Sequence, residues 1–195
     1  MPRRPKFERL KPWLPLETPR LILREFRESD FDAVHAYGSD PEVARFMVWG
    51  PNTPEETRAF LDRALEDLRH WPRPSVNAAV VLADSGRLIG SAELRVKDPE
   101  NLTGEFGYCF HRDAWGQGYG PEAALALIRQ GFDEMGLHRI TATCDVRNRK
   151  SWRVMEKLGM RREATFRKDV RVKRRWRDTY LYAMLREEWR ARGSE

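Results

Sequence analysis

The chain has 195 residues, 41% of them apolar, with seven tryptophans, nine phenylalanines and five tyrosines, enough to fill one sizeable core and to exclude a largely disordered chain. Its two cysteines, Cys109 and Cys144, show neither CxxC nor Cys/His spacing, so a disulfide framework is excluded and buried thiols in a reducing cytoplasm are expected. Net charge is +6 and unevenly placed: residues 161–177 carry nine Lys/Arg against two acidic groups and residues 1–11 five against one, which leaves the remainder acidic by five.

The first fifteen residues read as a basic extension, and residues 16–190 as a single domain without repeats or linker. No apolar run is long enough for a signal peptide or membrane span, so a soluble protein is expected. Arg20 to Phe26 is strand-like, and Ser29-Asp30-Phe31-Asp32 caps a helix carrying Val34 and Tyr37. Asp40-Pro41-Glu42 starts a shorter helix. Thr53-Pro54-Glu55-Glu56 is a capping box feeding Phe60, Leu61, Ala64, Leu65 and Leu68 up to Trp71. Val76 to Ala83 and Arg87 to Val96 flank the turn Asp84-Ser85-Gly86, which predicts a hairpin, and Gly104 to Phe110 follows as another strand. After a glycine-rich loop, Ala124, Ile128, Phe132 and Met135 recur at helical spacing until Gly136. A strand over Arg139 to Asp145, a helix from Asn148 to Leu158 and strands near 160–168 and 178–185 complete an α/β pattern on a mixed sheet.

The loop Trp115-Gly116-Gln117-Gly118-Tyr119-Gly120-Pro121-Glu122-Ala123 carries the chemistry. Glycines let successive NH groups converge, and the first turn of a helix adds unpaired donors and a positive dipole end, so the segment reads as a cradle for phosphate or pyrophosphate. Pro121 suits the first helical position, where no NH is needed. No lysine follows the glycines, which excludes a P-loop, and Pro121 stands where a dinucleotide fingerprint needs its third glycine. His35, His70, His111 and His138 show no paired ligand spacing, so no metal is expected.

The order of these elements resembles the GNAT acetyltransferase superfamily, and within it the RimJ/RimL-like branch. The resemblance covers roughly residues 16 to 190. It rests on Gly-x-Gly-x-Gly-Pro-Glu-Ala after the strand ending Gly107-Tyr108-Cys109-Phe110, and on Asn148-Arg149-Lys150-Ser151 leading to Glu156-Lys157-Leu158-Gly159-Met160. Thr18-Pro19-Arg20-Leu21, Asp40-Pro41-Glu42-Val43 and Trp176-Arg177-Asp178 before Tyr182 and Glu188-Trp189 add to it. Trp115 replaces the usual Arg or Gln at the head of the loop, which removes one phosphate-binding side chain and leaves the backbone cradle intact.

The resemblance implies one domain with a splayed, mostly antiparallel sheet of six to seven strands flanked by about four helices, working on acetyl-CoA and a primary amine. A protein N-terminus, such as a ribosomal protein's, comes first as acceptor, and a polyamine or aminoglycoside second. The pyrophosphate would meet the NH groups of Gln117, Gly118, Tyr119 and Gly120, within the stretch from Trp115 and Gly116. The pantetheine arm would pair with Tyr108 to Phe110 and touch Asn148, and a backbone NH near Cys109 or Phe110 would face the thioester oxygen. Glu105, or else Glu93, is expected as base through a water, and Ser151, or else Tyr108, as the acid for the departing thiolate. Cys109 lacks a His partner and is not expected to be a nucleophile. Trp49, Trp71 and Trp152 could line an acceptor pocket. The alternative is a non-catalytic acyl-CoA-binding or ribonucleoprotein-associated module acting through its basic 161–177 segment, monomeric or homodimeric.

Overall fold

Apolar residues spaced two apart give the strands, and their two faces bury two different helix pairs. The computed structural model of the chain describes residues 13–69, 73 and 75–192, so most of the basic extension, His70 and Trp71 lie outside it. Eight strands form one sheet in the order β1-β2-β3-β4-β5-β6-β8-β7. They are β1 (Leu16–Glu17), β2 (Leu21–Arg24), β3 (Ser75–Leu82), β4 (Leu88–Asp98), β5 (Thr103–Phe110), β6 (Arg139–Asp145), β7 (Arg161–Val172) and β8 (Arg175–Leu185). Five α-helices accompany them: α1 (Phe31–Gly38), α2 (Pro54–Asp67), α3 (Tyr119–Arg129), α4 (Arg149–Lys157) and α5 (Arg186–Arg192). The class is the expected one. The extra strand and helix, β1 and α5, have two and seven residues, too short to show a period.

The capping box at α2 forms as its sequence dictates, with Glu56 N donating to Thr53 Oγ1 at 3.2 Å and Thr53 N to Glu56 Oε2 at 2.9 Å. The β3–β4 hairpin also forms, closed by Leu82 N to Arg87 O at 2.9 Å. Asp40-Pro41-Glu42, by contrast, leads only through a turn into a single 3-10 turn at Ala44–Phe46. Beyond α3 the helix widens into a π turn over Gln130–Glu134, with Met135 N reaching Gln130 O at 2.9 Å.

One face of the sheet packs Ala92, Leu94, Phe106, Phe110 and Ala142 against Ala124, Leu127 and Ile128 of α3, Met155 of α4 and Leu158, which caps the end of α4. The other packs Ala79 and Cys109 against Val34 and Tyr37 of α1 and Leu61 and Ala64 of α2. Each fully buried Leu or Ile contributes about 1.5–3 kcal/mol, so both helix pairs are firmly fixed.

What positions the site is the one parallel pairing. β5 and β6 pair at only three positions, Thr103 with Arg139, Gly104 with Ile140 and Glu105 with Thr141. Beyond Glu105 the strands part, while each keeps its antiparallel partner on the outer side. The result is a wedge-shaped gap that opens toward Phe110 and Asp145.

Candidate active site

At the mouth of the gap the chain turns through the glycine loop into α3. Gly116 and Gly118 have φ of 77° and 83°, left-handed values that a side chain resists. Helix α3 begins two residues earlier than the sequence suggested, at Tyr119, which puts Pro121 in its third position. The proline is still harmless there, because the first intrahelical bond is Glu122 N to Gly118 O at 3.3 Å. Among the described residues, no hydrogen bond within the chain engages the NH groups of Gln117, Gly118, Tyr119 or Gly120. Four donors thus converge unpaired at a helix N-terminus, the arrangement that holds a phosphate.

A latch that the sequence did not reveal holds this loop from the β1–β2 turn. Arg20 Nη1 donates to Gln117 O at 2.9 Å, and its guanidinium lies 4.7 Å from the centre of the Tyr119 ring. Glu122 accepts from Arg20 Nε at 2.7 Å, Arg20 N at 2.9 Å and Thr18 Oγ1 at 2.6 Å. Burial pushes the Glu122 carboxyl up, but these hydrogen bonds outweigh it and hold it below the ordinary carboxylate range. Thr18 and Arg20 stood out in the sequence only as part of a resemblance, because their partner is about a hundred residues away.

Trp115 turns inward, its Nε1 donating to Phe110 O at 3.0 Å, and Lys150 Nζ sits 4.2 Å from the centre of its ring. A cation therefore stands at the head of the loop although the residue there is apolar. Asn148 caps α4, its side chain accepting from Ser151 N at 3.3 Å. Ser151 comes close to both Tyr108 on β5 and Cys144 on β6, so it spans the gap. Burial raises the Tyr108 hydroxyl to about 12, with the nearby Ser151 hydroxyl opposing; the oxygen is buried and, among the described residues, has no partner in good hydrogen-bond geometry.

Strand alternation decides which β5 groups face the gap. His111 N donates to Ile89 O on the β4 side at 2.8 Å, and a Cβ on Gly90 of β4 would lie 2.2 Å from Cys109 O, so Cys109 also points its backbone toward β4. The NH and carbonyl groups of Tyr108 and Phe110 point the other way, into the gap. The oxygen-binding donor expected near Cys109 or Phe110 is thereby narrowed to Phe110 and its neighbour Tyr108. Cys109 presents its side chain to the α1–α2 face, where burial raises the thiol to about 12 and keeps it protonated and a poor nucleophile.

The two carboxylates differ in their surroundings. Both lie on the α1–α2 face, opposite α3 and α4. Glu105 is opposite Arg95 in the register and bonds Arg95 Nη2 at 2.9 Å, with Lys97 Nζ at 3.4 Å. Glu93 lies across from Asn77 and Gly107, and a Cβ on Gly107 would meet nothing within 4 Å. Desolvation raises the Glu93 carboxyl, Arg95 opposes, and the negative charges of Glu105 and Asp67 raise it further. Tyr37 reaches the same wall, its hydroxyl buried, without a partner in good hydrogen-bond geometry among the described residues, and raised by burial. Trp152 packs against the core beside α3 and does not line this face, while Trp49 is exposed.

The slot between β5 and β6 is therefore flanked by α3 and α4 on one face of the sheet and by α1 and α2 on the other. The orphaned Tyr108 hydroxyl and the four unpaired loop donors fit a phosphate-bearing pantetheine ligand such as acetyl-CoA. Comparison with known proteins agrees. The family described as acetyltransferase (GNAT) domain matches residues 20–161. The chain is 40% identical over 175 residues to the uncharacterized N-acetyltransferase YnaD of Bacillus subtilis, covering 89% of this chain and 98% of that one. A GNAT-family acetyltransferase from Bacillus anthracis superposes with a TM-score of 0.80 at 38% identity, over 90% of this chain and all of the other. The spermidine N-acetyltransferase of Vibrio cholerae, solved with CoA and spermine, shares the fold at a TM-score of 0.76 and 18% identity, over 88% and 99% of the chains. With its gap, glycine cradle and relatives in agreement, the chain belongs to the GNAT family and is an acetyl-CoA-dependent N-acetyltransferase.

Proposed function

We propose that the protein moves the acetyl group directly onto a primary amine, first a peptide α-amine and second a small amine, and that it sits in the RimJ/RimL-like branch. The observation that carries the direct-transfer reading is the stretch of β5 beyond Glu105 that has no partner on its β6 side, with Tyr108 and Phe110 backbone groups turned into the gap. The branch assignment is supported by Thr18-Pro19-Arg20-Leu21, whose Thr18 and Arg20 hold the glycine loop, and by Trp176-Arg177-Asp178. The 18% likeness to a polyamine enzyme speaks to the fold alone and does not select the acceptor. The non-catalytic reading is disfavoured by relatives named as N-acetyltransferases, which the chain matches over nearly their whole length.

Bound acetyl-CoA supplies the activated acyl group. Gln117 to Gly120 hold its pyrophosphate through backbone NH groups, Lys150 adds a cation beside them, and Asn148 borders the pantetheine. The Phe110 NH faces the thioester oxygen, an interaction of about 3 kcal/mol when the oxygen gains charge. An amine is mostly protonated at neutral pH, and an α-amine with a pKa near 8 costs roughly 3 kcal/mol less to deprotonate than a lysine at about 10.4. Glu93 takes that proton through a water. This reverses the order expected from sequence, because Glu105 is engaged by Arg95 and Lys97, whereas desolvation raises the Glu93 carboxyl and makes it a good proton acceptor. As the carbon–nitrogen bond forms and the carbon–sulfur bond breaks, Ser151, or else Tyr108 beside it, gives a proton to the sulfur. Release of free CoA thiol, measured with and without a panel of α-amine peptides and small amines, tests the reading. Release that no amine accelerates would refute it.

A further inference from the structure

Three segments remote in sequence meet at the rim of the acceptor face, and all bring positive charge. The β7–β8 turn reaches over to the α1–α2 connection, where Lys173 Nζ donates to Ala44 O at 2.8 Å. Two residues further, the Phe46 ring lies 5.3 Å from the Arg45 guanidinium and 5.9 Å from that of Arg147, which follows the end of β6. The Arg45 and Arg147 side chains are 63% and 55% exposed, and Lys173, Arg174 and Arg175 are exposed as well.

Counter-charge at this rim is scarce. Asp145 is buried and divided between Arg147 at 2.6 Å and Arg177 at 3.5 Å, so the three carry a net positive charge. Glu42 lies 3.6 Å from Arg45, Asp40 is paired with Arg112 at 3.3 Å, and Asp178 accepts from Lys168 N. Lys173, Arg174 and Arg175 have no ion pair among the described residues. The turn itself is strained: Lys173 and Arg174 have φ of 47° and 67°, where a hairpin favours Asn or Gly. Basic side chains thus occupy positions that local geometry gives to other residues, a departure that marks functional surfaces. Deeper on the same face the sign changes, with Glu93, Glu105 and Asp67 facing Arg95 and Lys97.

We infer that the acceptor carries its amine on an anionic body, with the ammonium end drawn to the carboxylate floor and acidic groups close behind it held by Arg45, Arg147 and the 173–175 turn. The inference rests on the amine-transfer reading and narrows it, since polyamines and other polycations are repelled by the rim. Three hexapeptides with free α-amines test it, acidic, neutral and basic after the first residue, together with spermidine. They are compared by kcat/KM and by equilibrium binding of the fluorescently labelled peptides in the presence of CoA.

The acidic peptide should lead the basic one by roughly 10-fold or more at low ionic strength. That margin should shrink as salt rises and the screening length falls to about 10 Å at 0.1 M. It should also collapse in the triple variant Arg147→Gln/Arg174→Asn/Arg175→Gln, in which Asn accepts the positive φ and preserves the turn. An equal or reversed order in binding overturns the inference, as does failure of every peptide to bind or a higher kcat/KM for spermidine. Acidic preference in binding without turnover would count against amine transfer alone.

Discussion

Replacing Glu93 by Gln separates the two carboxylates by both rate and stability. A general base contributes about 10²- to 10⁴-fold, or roughly 2.7–5.5 kcal/mol at 1.36 kcal/mol per decade, so kcat/KM should fall by that factor at neutral pH. The pH profile carries the sign. In the wild type the rate should rise with pH through the raised Glu93 value, because only the carboxylate accepts a proton. In Glu93→Gln that limb should vanish, leaving a rate that climbs tenfold per unit with the free-amine fraction up to about pH 8 for an α-amine. Glu105→Gln removes a charge that raises Glu93, so the acid limb should move to lower pH with little loss at neutrality. Stability should move oppositely to activity. A carboxyl raised in the folded state contributes fully below its unfolded value and loses that contribution as pH rises through the folded one, so near pH 7 the charged, desolvated Glu93 opposes folding. Glu93→Gln should therefore melt higher than wild type at pH 7, with the gain shrinking toward pH 4. Single-turnover thiol release from pH 5 to 9 and melting curves over the same range provide the data. Wild-type rates in Glu93→Gln with a collapse in Glu105→Gln would refute the assignment.

Arg20→Ala removes a hydrogen bond to Gln117 O, a partly exposed pair with Glu122 and a cation–ring contact, together about 2 kcal/mol, with the ion pair discounted for its exposure. A fall of about 4–8 °C in Tm and weaker acetyl-CoA binding by calorimetry are expected, and unchanged values for both would dismiss the latch. Tyr108→Phe and Ser151→Ala should each lower single-turnover chemistry modestly, and the double variant more, with acetyl-CoA affinity largely kept. Unchanged chemistry in the double variant would remove both from the proton path.

Much of the local signal was readable in the sequence, although Asp40-Pro41-Glu42 yields a turn and one 3-10 turn in place of a helix. The capping box at Thr53, the β3–β4 hairpin and the glycine loop need only neighbours, and each forms where its residues point. The gap was foreseen through a resemblance, but its cause, a parallel pairing that stops after three positions, is a matter of register. Register also hid the surroundings of the carboxylates, since nothing in the order of residues sets Arg95 opposite Glu105 and leaves Glu93 beside the open Gly107. The Arg20–Glu122 latch and the Lys173–Ala44 contact join segments about a hundred residues or more apart, beyond any periodicity argument.

The central claim is that the unpaired donors of the glycine loop hold acetyl-CoA at the mouth of the β5–β6 gap. Calorimetric titration of wild type and Gly118→Asp with acetyl-CoA tests it most directly, with each protein's folding checked by melting without ligand. A carboxylate at Gly118 repels the pyrophosphate and strains a backbone at φ 83°. The wild type should bind and gain about 2.7 kcal/mol of stability at 100-fold excess over Kd, while folded Gly118→Asp should neither bind nor gain. Equal affinities for the two proteins would contradict the account.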